Sequence, residues 1–171
     1  MVSTGDGADI GRRVLVLANE TLIGVALRRE IARRAMGSDV AVLVVCPALT
    51  NRLRHWLSDV DEAVTKANER LASSLAALAE LGIAAEGRVG DGDPLLALRD
   101  AVTAFHPTEI VISTHPRGRS NWLEHHLVEQ ARNDFLIPVS HVVVDLEREV
   151  QAGQEPSAPR RGDAEHITQS R

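Results

Sequence analysis

Two short apolar runs constrain this chain more than any other feature: "RVLVLA" at Arg13–Ala18 and "DVAVLVVC" at Asp39–Cys46. Neither alternates polar with apolar, so each needs cover on both faces, as strands inside a parallel sheet do. Between them Leu22, Ala26, Leu27, Ile31 and Ala35 recur at helical spacing. Arg28, Arg29, Arg33 and Arg34 fall mostly on the wet side of that helix, and Gly37 is placed to end it.

The alternation continues down the chain. Ser58-x-x-Asp61 is a capping pattern, followed by one long apolar stripe: Val60, Val64, Ala67, Leu71, Leu75, Leu78 and Leu81. Gly82 stops it, and Ile83–Val89 reads as a third strand. Asp93-Pro94 opens a helix that runs to about Phe105, with Asp as N-cap and Pro at the first helical position; Pro107 bars continuation. Glu109–Thr114 is a fourth strand, Asn121-x-x-Glu124 caps a fourth helix with Leu123, Leu127 and Ala131 facing inward, and Pro138–Leu146 is a fifth strand. Strict alternation predicts an α/β fold: a doubly wound, five-stranded parallel sheet with right-handed crossovers and helices on both faces. The expected domain spans residues 12–146, between a flexible N-terminus at 1–11 and a polar, disordered tail at 147–171 with no sustained apolar period.

Charge and cysteine content exclude several classes. A net charge of −5 and a pI near 5.8 leave no global positive field to attract nucleic-acid backbones. Cys46 is the only cysteine, so no intrachain disulfide forms. Met1–Gly11 is polar and acidic, without the apolar stretch of a signal peptide, and no apolar run approaches membrane-spanning length. The expectation is a cytoplasmic protein without a membrane or nucleic-acid partner. Lys66 is the only lysine among many arginines, the bias of a GC-rich, bacterial genome.

A sheet of this kind binds ligands beyond the carboxyl ends of its strands, where three loops converge: Asn19–Thr21, Cys46–Asn51 and His115–Ser120. The last lies within "IVISTHPRGRSNWLEHH", Ile110–His126. Here Arg117, Gly118, Arg119, Ser120 and Asn121 combine two guanidiniums with the start of a helix, a setting suited to phosphate oxygens. The competing reading is a capped helix beside two solvated arginines. Asn19 and Glu20 would take a sugar or other polar part of the same ligand. Asn51, Arg52, Arg54, His55 and Trp56 read either as a cationic flap or as a loop that Trp56 anchors on the core, and the second is favoured because large aromatics mostly pack. Glu20 and Asp91 either line the mouth or are solvated loop acids. His115, His125 and His126 lack metal-ligand spacing, since adjacent helical residues point about 100° apart. Cys46 reads as a small buried hydrophobe. No Gly-x-Ser-x-Gly elbow, P-loop or paired acid/base set occurs, so neither a catalytic nor a metal residue is assigned.

Residues 12–146 resemble the universal stress protein family. The resemblance rests on the element order, on Gly92-Asp93-Pro94 before the third helix, on "EIVIST" as penultimate strand and on "IPVSHVVVD" as last strand. It implies a Rossmann-like sheet of order 3-2-1-4-5, homodimerisation and, in one branch, ATP binding. That branch carries Gly-x2-Gly-x9-Gly-[Ser/Thr] after its fourth strand. Here the glycine positions fall on Ser113, Pro116 and His126, with Leu127 following. Its acidic residue after the first strand is replaced by Asn19-Glu20, which gives Glu20 the ribose position. "STHPRGRSNWLE" and "VCPALTNRLRHWLSD" look like a bacterial branch lacking the glycine-rich motif. The function expected is a stress-response-type domain that binds ATP, another nucleotide or another phosphorylated small molecule and acts by ligand-dependent association, not catalysis. The alternative is a ligand-free dimer or adaptor module of the same fold. A nucleotide hydrolase or transferase is a third, weaker reading.

Overall fold

The computed structural model describes residues 11–18, 24–35, 39–49, 59–116 and 122–145, with the side chains of 59, 60 and 122–125 left aside. Both polar ends, 1–10 and 147–171, lie outside the described residues. The elements are β1 (Arg12–Ala18), α1 (Val25–Ala35), β2 (Val40–Pro47), α2 (Asp59–Ala79), β3 (Ala85–Gly90), α3 (Pro94–Phe105), β4 (Glu109–Thr114), α4 (Trp122–Asp134) and β5 (Val139–Val143). All four strand pairings are parallel, in the order β3-β2-β1-β4-β5. Fold class and strand order are those expected.

The continuous apolar runs occupy the centre. Val14, Val16, Val42 and Val44 point to one face, under α1 and α2; Leu15, Leu17, Leu43 and Val45 point to the other, under α3 and α4. This is why neither run alternates: each successive side chain enters a different core. Fully buried Leu15, Leu17, Leu43 and Leu98 fill the second core, and Leu27, Ile31 and Leu78 the first.

Local signals act as read at α3. Asp93 Oδ1 accepts hydrogen bonds from the backbone N–H of Leu95 (2.9 Å) and Leu96 (3.3 Å), and Pro94 opens the helix. His106 ends it in the left-handed region at φ 48°, its N–H bonded to the Val102 carbonyl. Other boundaries move. β3 begins at Ala85 rather than Ile83, because Ile83 is used to close α2: Gly82 turns the chain at φ 72°, and the Ile83 N–H bonds the Leu78 carbonyl at 3.0 Å. Along α2, Val64 is exposed while Ala63 and Ser74 are buried, so the stripe is rotated toward smaller residues, and Leu81 lies exposed in the turn beyond the helix. Leu71 and Leu75 are pressed onto Gly87 of β3, where an added Cβ would lie 2.7 Å from a Leu71 methyl, so a larger residue there would have to push these leucine ends aside.

One arginine assigned to the wet side of α1 is buried. Arg34 is 3% exposed and ties α1 to two strands. Its Nε donates to Glu109 Oε1 (2.5 Å), its Nη2 to Ser140 Oγ (2.9 Å) and its Nη1 to the Glu30 carbonyl (3.1 Å) and carboxylate. Arg12 closes the cluster on Glu109 Oε2 at 2.9 Å. Helical periodicity put residue 34 beside the apolar stripe; the carboxylate waiting on β4 pulled it in.

The same contacts set an acid dependence. Hydrogen bonds from Arg33 and then Arg34 hold the Glu30 carboxyl down at about 2. Burial pushes Glu109 up, but the hydrogen bonds from Arg34 and Arg12 outweigh it and leave that carboxyl below its usual range. Both groups are more acidic folded than unfolded, so their stabilisation is complete above the ordinary carboxylate range and is lost as pH falls toward 2. Urea midpoints should therefore be flat near neutrality and fall steadily from about pH 5 downward. In Glu30→Gln that fall should be shallower; an equal slope in the variant would remove Glu30 as a cause.

Candidate functional site

The strand order reverses between β1 and β4, which lie about 4.8 Å apart as neighbouring strands do. Ala18, the last residue of β1, stands in register with Ser113 of β4. The segments that leave these two strands therefore start side by side at the carboxyl end of the sheet. One runs from Ala18 to Gly24 and carries Asn19 and Glu20; the other runs from Pro116 to Trp122 and carries Arg117, Gly118, Arg119, Ser120 and Asn121. All seven of these residues lie outside the described residues, as do Asn51, Arg52, Arg54, His55 and Trp56. What the structure brings together is the framework from which the first two groups emerge.

That framework is well defined. Thr114, at the end of β4, is 3% exposed, and its Oγ1 shares a hydrogen bond with His141 Nε2 of β5 at 2.7 Å. The Val144 N–H donates to the Thr114 carbonyl at 2.8 Å, extending the ladder past β5. Gly24 opens α1 on the other side of the crevice, its carbonyl accepting from the Arg28 N–H at 3.1 Å. On the far flank the Ala48 N–H bonds the Gly90 carbonyl at 3.1 Å, and an added Cβ on Gly92 would lie 2.9 Å from the Ala48 oxygen, so the β3–α3 turn sits flush against the end of β2. Asp91, read as a possible mouth residue, has its Oδ1 engaged by the Asp93 N–H at 2.8 Å and so shapes the turn.

Two mouth groups were missed from sequence. Arg70, halfway along α2, reaches back and donates from Nη2 to the Pro47 carbonyl at 3.1 Å, placing a guanidinium at the carboxyl end of β2. The signal for it was faint: residue 70 only flanks the apolar stripe, and helical side chains lean toward the helix N-terminus, here the mouth. The Thr114–His141 pair had no signal, because it joins residues from separate strands.

Cys46 is buried as read, 1% exposed. Burial pushes its thiol up to about 11, and the nearby Arg70 charge opposes this only in part. Thiolate is thus scarce at neutral pH. A thiol reagent at pH 7.5 should label the native chain on the timescale of unfolding and label it at once in denaturant; fast native labelling would contradict the burial. Among the described residues no three His, Cys, Asp or Glu side chains gather as metal ligands would, and no helix is long and apolar enough to cross a membrane.

Solved structures share this fold. A universal stress protein from Archaeoglobus fulgidus superposes with a TM-score of 0.55 at 18% identity, covering 76% of this chain and 92% of that one. A universal stress protein family member from Burkholderia pseudomallei gives 0.54 at 17%, covering 76% and 94%. A family protein from Arabidopsis thaliana with AMP bound gives 0.52 at 15%, covering 80% and 94%. The chain therefore has the universal stress protein fold, as the sequence resemblance implied. No protein-family model matches the chain, and no curated protein matches it in sequence.

Proposed function

We propose that this chain is a stress-protein-type domain that binds a nucleotide or another phosphorylated small molecule at the carboxyl end of β1 and β4 and acts by ligand-dependent association, not turnover, in the cytoplasm. The observation that carries the reading is the register of Ala18 with Ser113, which starts the Asn19–Glu20 and Arg117–Asn121 segments from adjacent strand ends. The AMP bound to the Arabidopsis protein of the same fold supports the ligand class. Arg117, Gly118, Arg119, Ser120 and Asn121 take the phosphate; Asn19 and Glu20 take the sugar or polar part. Association is between two copies through β5, which ends the sheet on one side. That strand carries no lysine, aspartate or glutamate from Val139 to Val143, whereas β3 at the other edge carries exposed Glu86 and Arg88, the kind of charge that discourages pairing.

A specific observation favours the second reading, a ligand-free dimer or adaptor. Ser113 and Pro116 stand at two of the positions where glycines would free backbone N–H groups for phosphates; Ser113 is a fully buried ladder residue, and Pro116 has no N–H to offer. His126, at the third, lies inside α4. Calorimetric titration with ATP, ADP and AMP at low salt separates the readings. Because charge replaces backbone cradling, binding should weaken on the order of tenfold or more in Arg117→Ala plus Arg119→Ala and should fall with added salt. Tight ATP binding that ignores both changes would overturn the assignment, and no binding by wild type would leave the adaptor.

A further inference from the structure

Arg70 reaches the mouth without the partner that a half-buried cation calls for. It stands on α2 among the buried positions Ala67, Leu71 and Ser74, and its Nη2 donates to the Pro47 carbonyl at 3.1 Å. Its charge also acts on the Cys46 thiol, so the guanidinium lies over the last residues of β2. Among the described residues the Pro47 carbonyl is the one acceptor it meets, and no carboxylate pairs with it. Its Nε is shut off from solvent and has no acceptor. Arg34 shows the contrast. It too is drawn in from its helix, but it meets the carboxylates of Glu30 and Glu109.

A guanidinium placed this way loses hydration and gains a neutral carbonyl in return. Such an uncompensated charge is a cost to folding, and costs of this kind are kept where a site uses them. The position fits that use. Leu17 stands in register with Val45, so Pro47 projects just past the end of β1 at Ala18. Neighbouring strands lie about 4.8 Å apart, so Arg70 borders the crevice on its β2 side. The strand end that holds it is itself fixed, since the Ala48 N–H bonds the Gly90 carbonyl at 3.1 Å. We propose that Arg70 is an anion-binding residue of the mouth: the Pro47 carbonyl holds the guanidinium in place, and its remaining N–H groups take a phosphate oxygen of the small molecule bound there. A guanidinium carries several N–H groups in one plane, so a single bond to Pro47 leaves others to offer. A cation held in advance loses little freedom when the ligand arrives. The inference rests on the phosphorylated-ligand reading above and adds a binding residue on the β2 side.

The test is calorimetric titration with ATP, ADP and AMP, at low and moderate salt, of wild type, Arg70→Lys and Arg70→Gln, with urea unfolding of each ligand-free protein. Lysine keeps the charge and loses the fork; glutamine keeps a donor and loses the charge. Arg70→Gln should bind about tenfold more weakly than wild type, the scale of one charge-assisted hydrogen bond. Arg70→Lys should fall between the two, and added salt should weaken Arg70→Gln less than wild type. The urea midpoint of Arg70→Gln should be no lower than that of wild type, because an uncompensated charge is gone. Binding by Arg70→Gln within about twofold of wild type, far short of the loss of a charge-assisted bond, overturns the assignment. Equal losses in both variants, with the salt dependence of wild type, do the same. A marked fall in the Arg70→Gln midpoint, or its failure to fold, also overturns it, since Arg70 would then be a structural tie between α2 and β2. Each of these leaves the proposed function standing. A wild type that binds none of the three nucleotides overturns both.

Discussion

Replacing Arg34 with methionine should lower the stability of this domain by about 3 kcal/mol, the lower end of the range for breaking a buried ion pair by removing one partner. Methionine fills a similar volume, so the loss is chiefly electrostatic. Glu109, whose side chain is 14% exposed, would keep only Arg12 as partner, while Ser140 Oγ and the Glu30 carbonyl would lose their buried donor. For a domain of this size the change corresponds to roughly 10 °C in melting temperature. Adding Glu109→Gln to Arg34→Met should recover part of the loss, because the uncompensated carboxylate is then gone. The double variant separates charge from packing: recovery identifies the stranded carboxylate as the cost, and none identifies the lost contacts. A shift within one or two degrees for Arg34→Met alone would show that the cluster contributes nothing net, as buried ion pairs sometimes do.

Gly24→Ala should be the most damaging small substitution at the mouth, costing about 1–3 kcal/mol as overpacking does. The added methyl would sit 2.0 Å from Val144 Cγ1 and 3.0 Å from its Cγ2, so something must shift. Val144 is enclosed by the core under α1, and its backbone is held by Thr114. Relief is available from one side only, by shortening the valine. Val144→Ala alone should destabilise by leaving a cavity, yet the pair Gly24→Ala with Val144→Ala should be more stable than the sum of the single losses. Urea denaturation of the three variants gives the coupling energy, and strict additivity would remove the contact as the cause.

The resulting picture divides what the sequence decided from what the assembled fold decided. Elements whose cause is local were legible. Continuous apolar runs at Val14–Leu17 and Val42–Val45 became the two-sided centre of the sheet, and Asp93-Pro94 capped α3 as its chemistry requires. The order of those elements was enough for a parallel doubly wound sheet, because alternating strands and helices have few other ways to bury both faces. That the candidate ligand segments leave the carboxyl ends of the strands follows from the same order, whereas the register of Ala18 with Ser113 is fixed only in the assembled sheet. Other features belong to the tertiary structure, because their causes lie far apart in the chain. Arg34 is buried for the sake of Glu109, 75 residues on, and Ser140, 106 residues on. Arg70 reaches the mouth through Pro47, 23 residues back, and Thr114 meets His141 across 27. Gly24 requires glycine only because Val144 arrives from the last strand. Periodicity records which side of a helix is apolar; it carries no record of which strand will present a carboxylate, a carbonyl or a methyl there, and that is decided when the sheet closes.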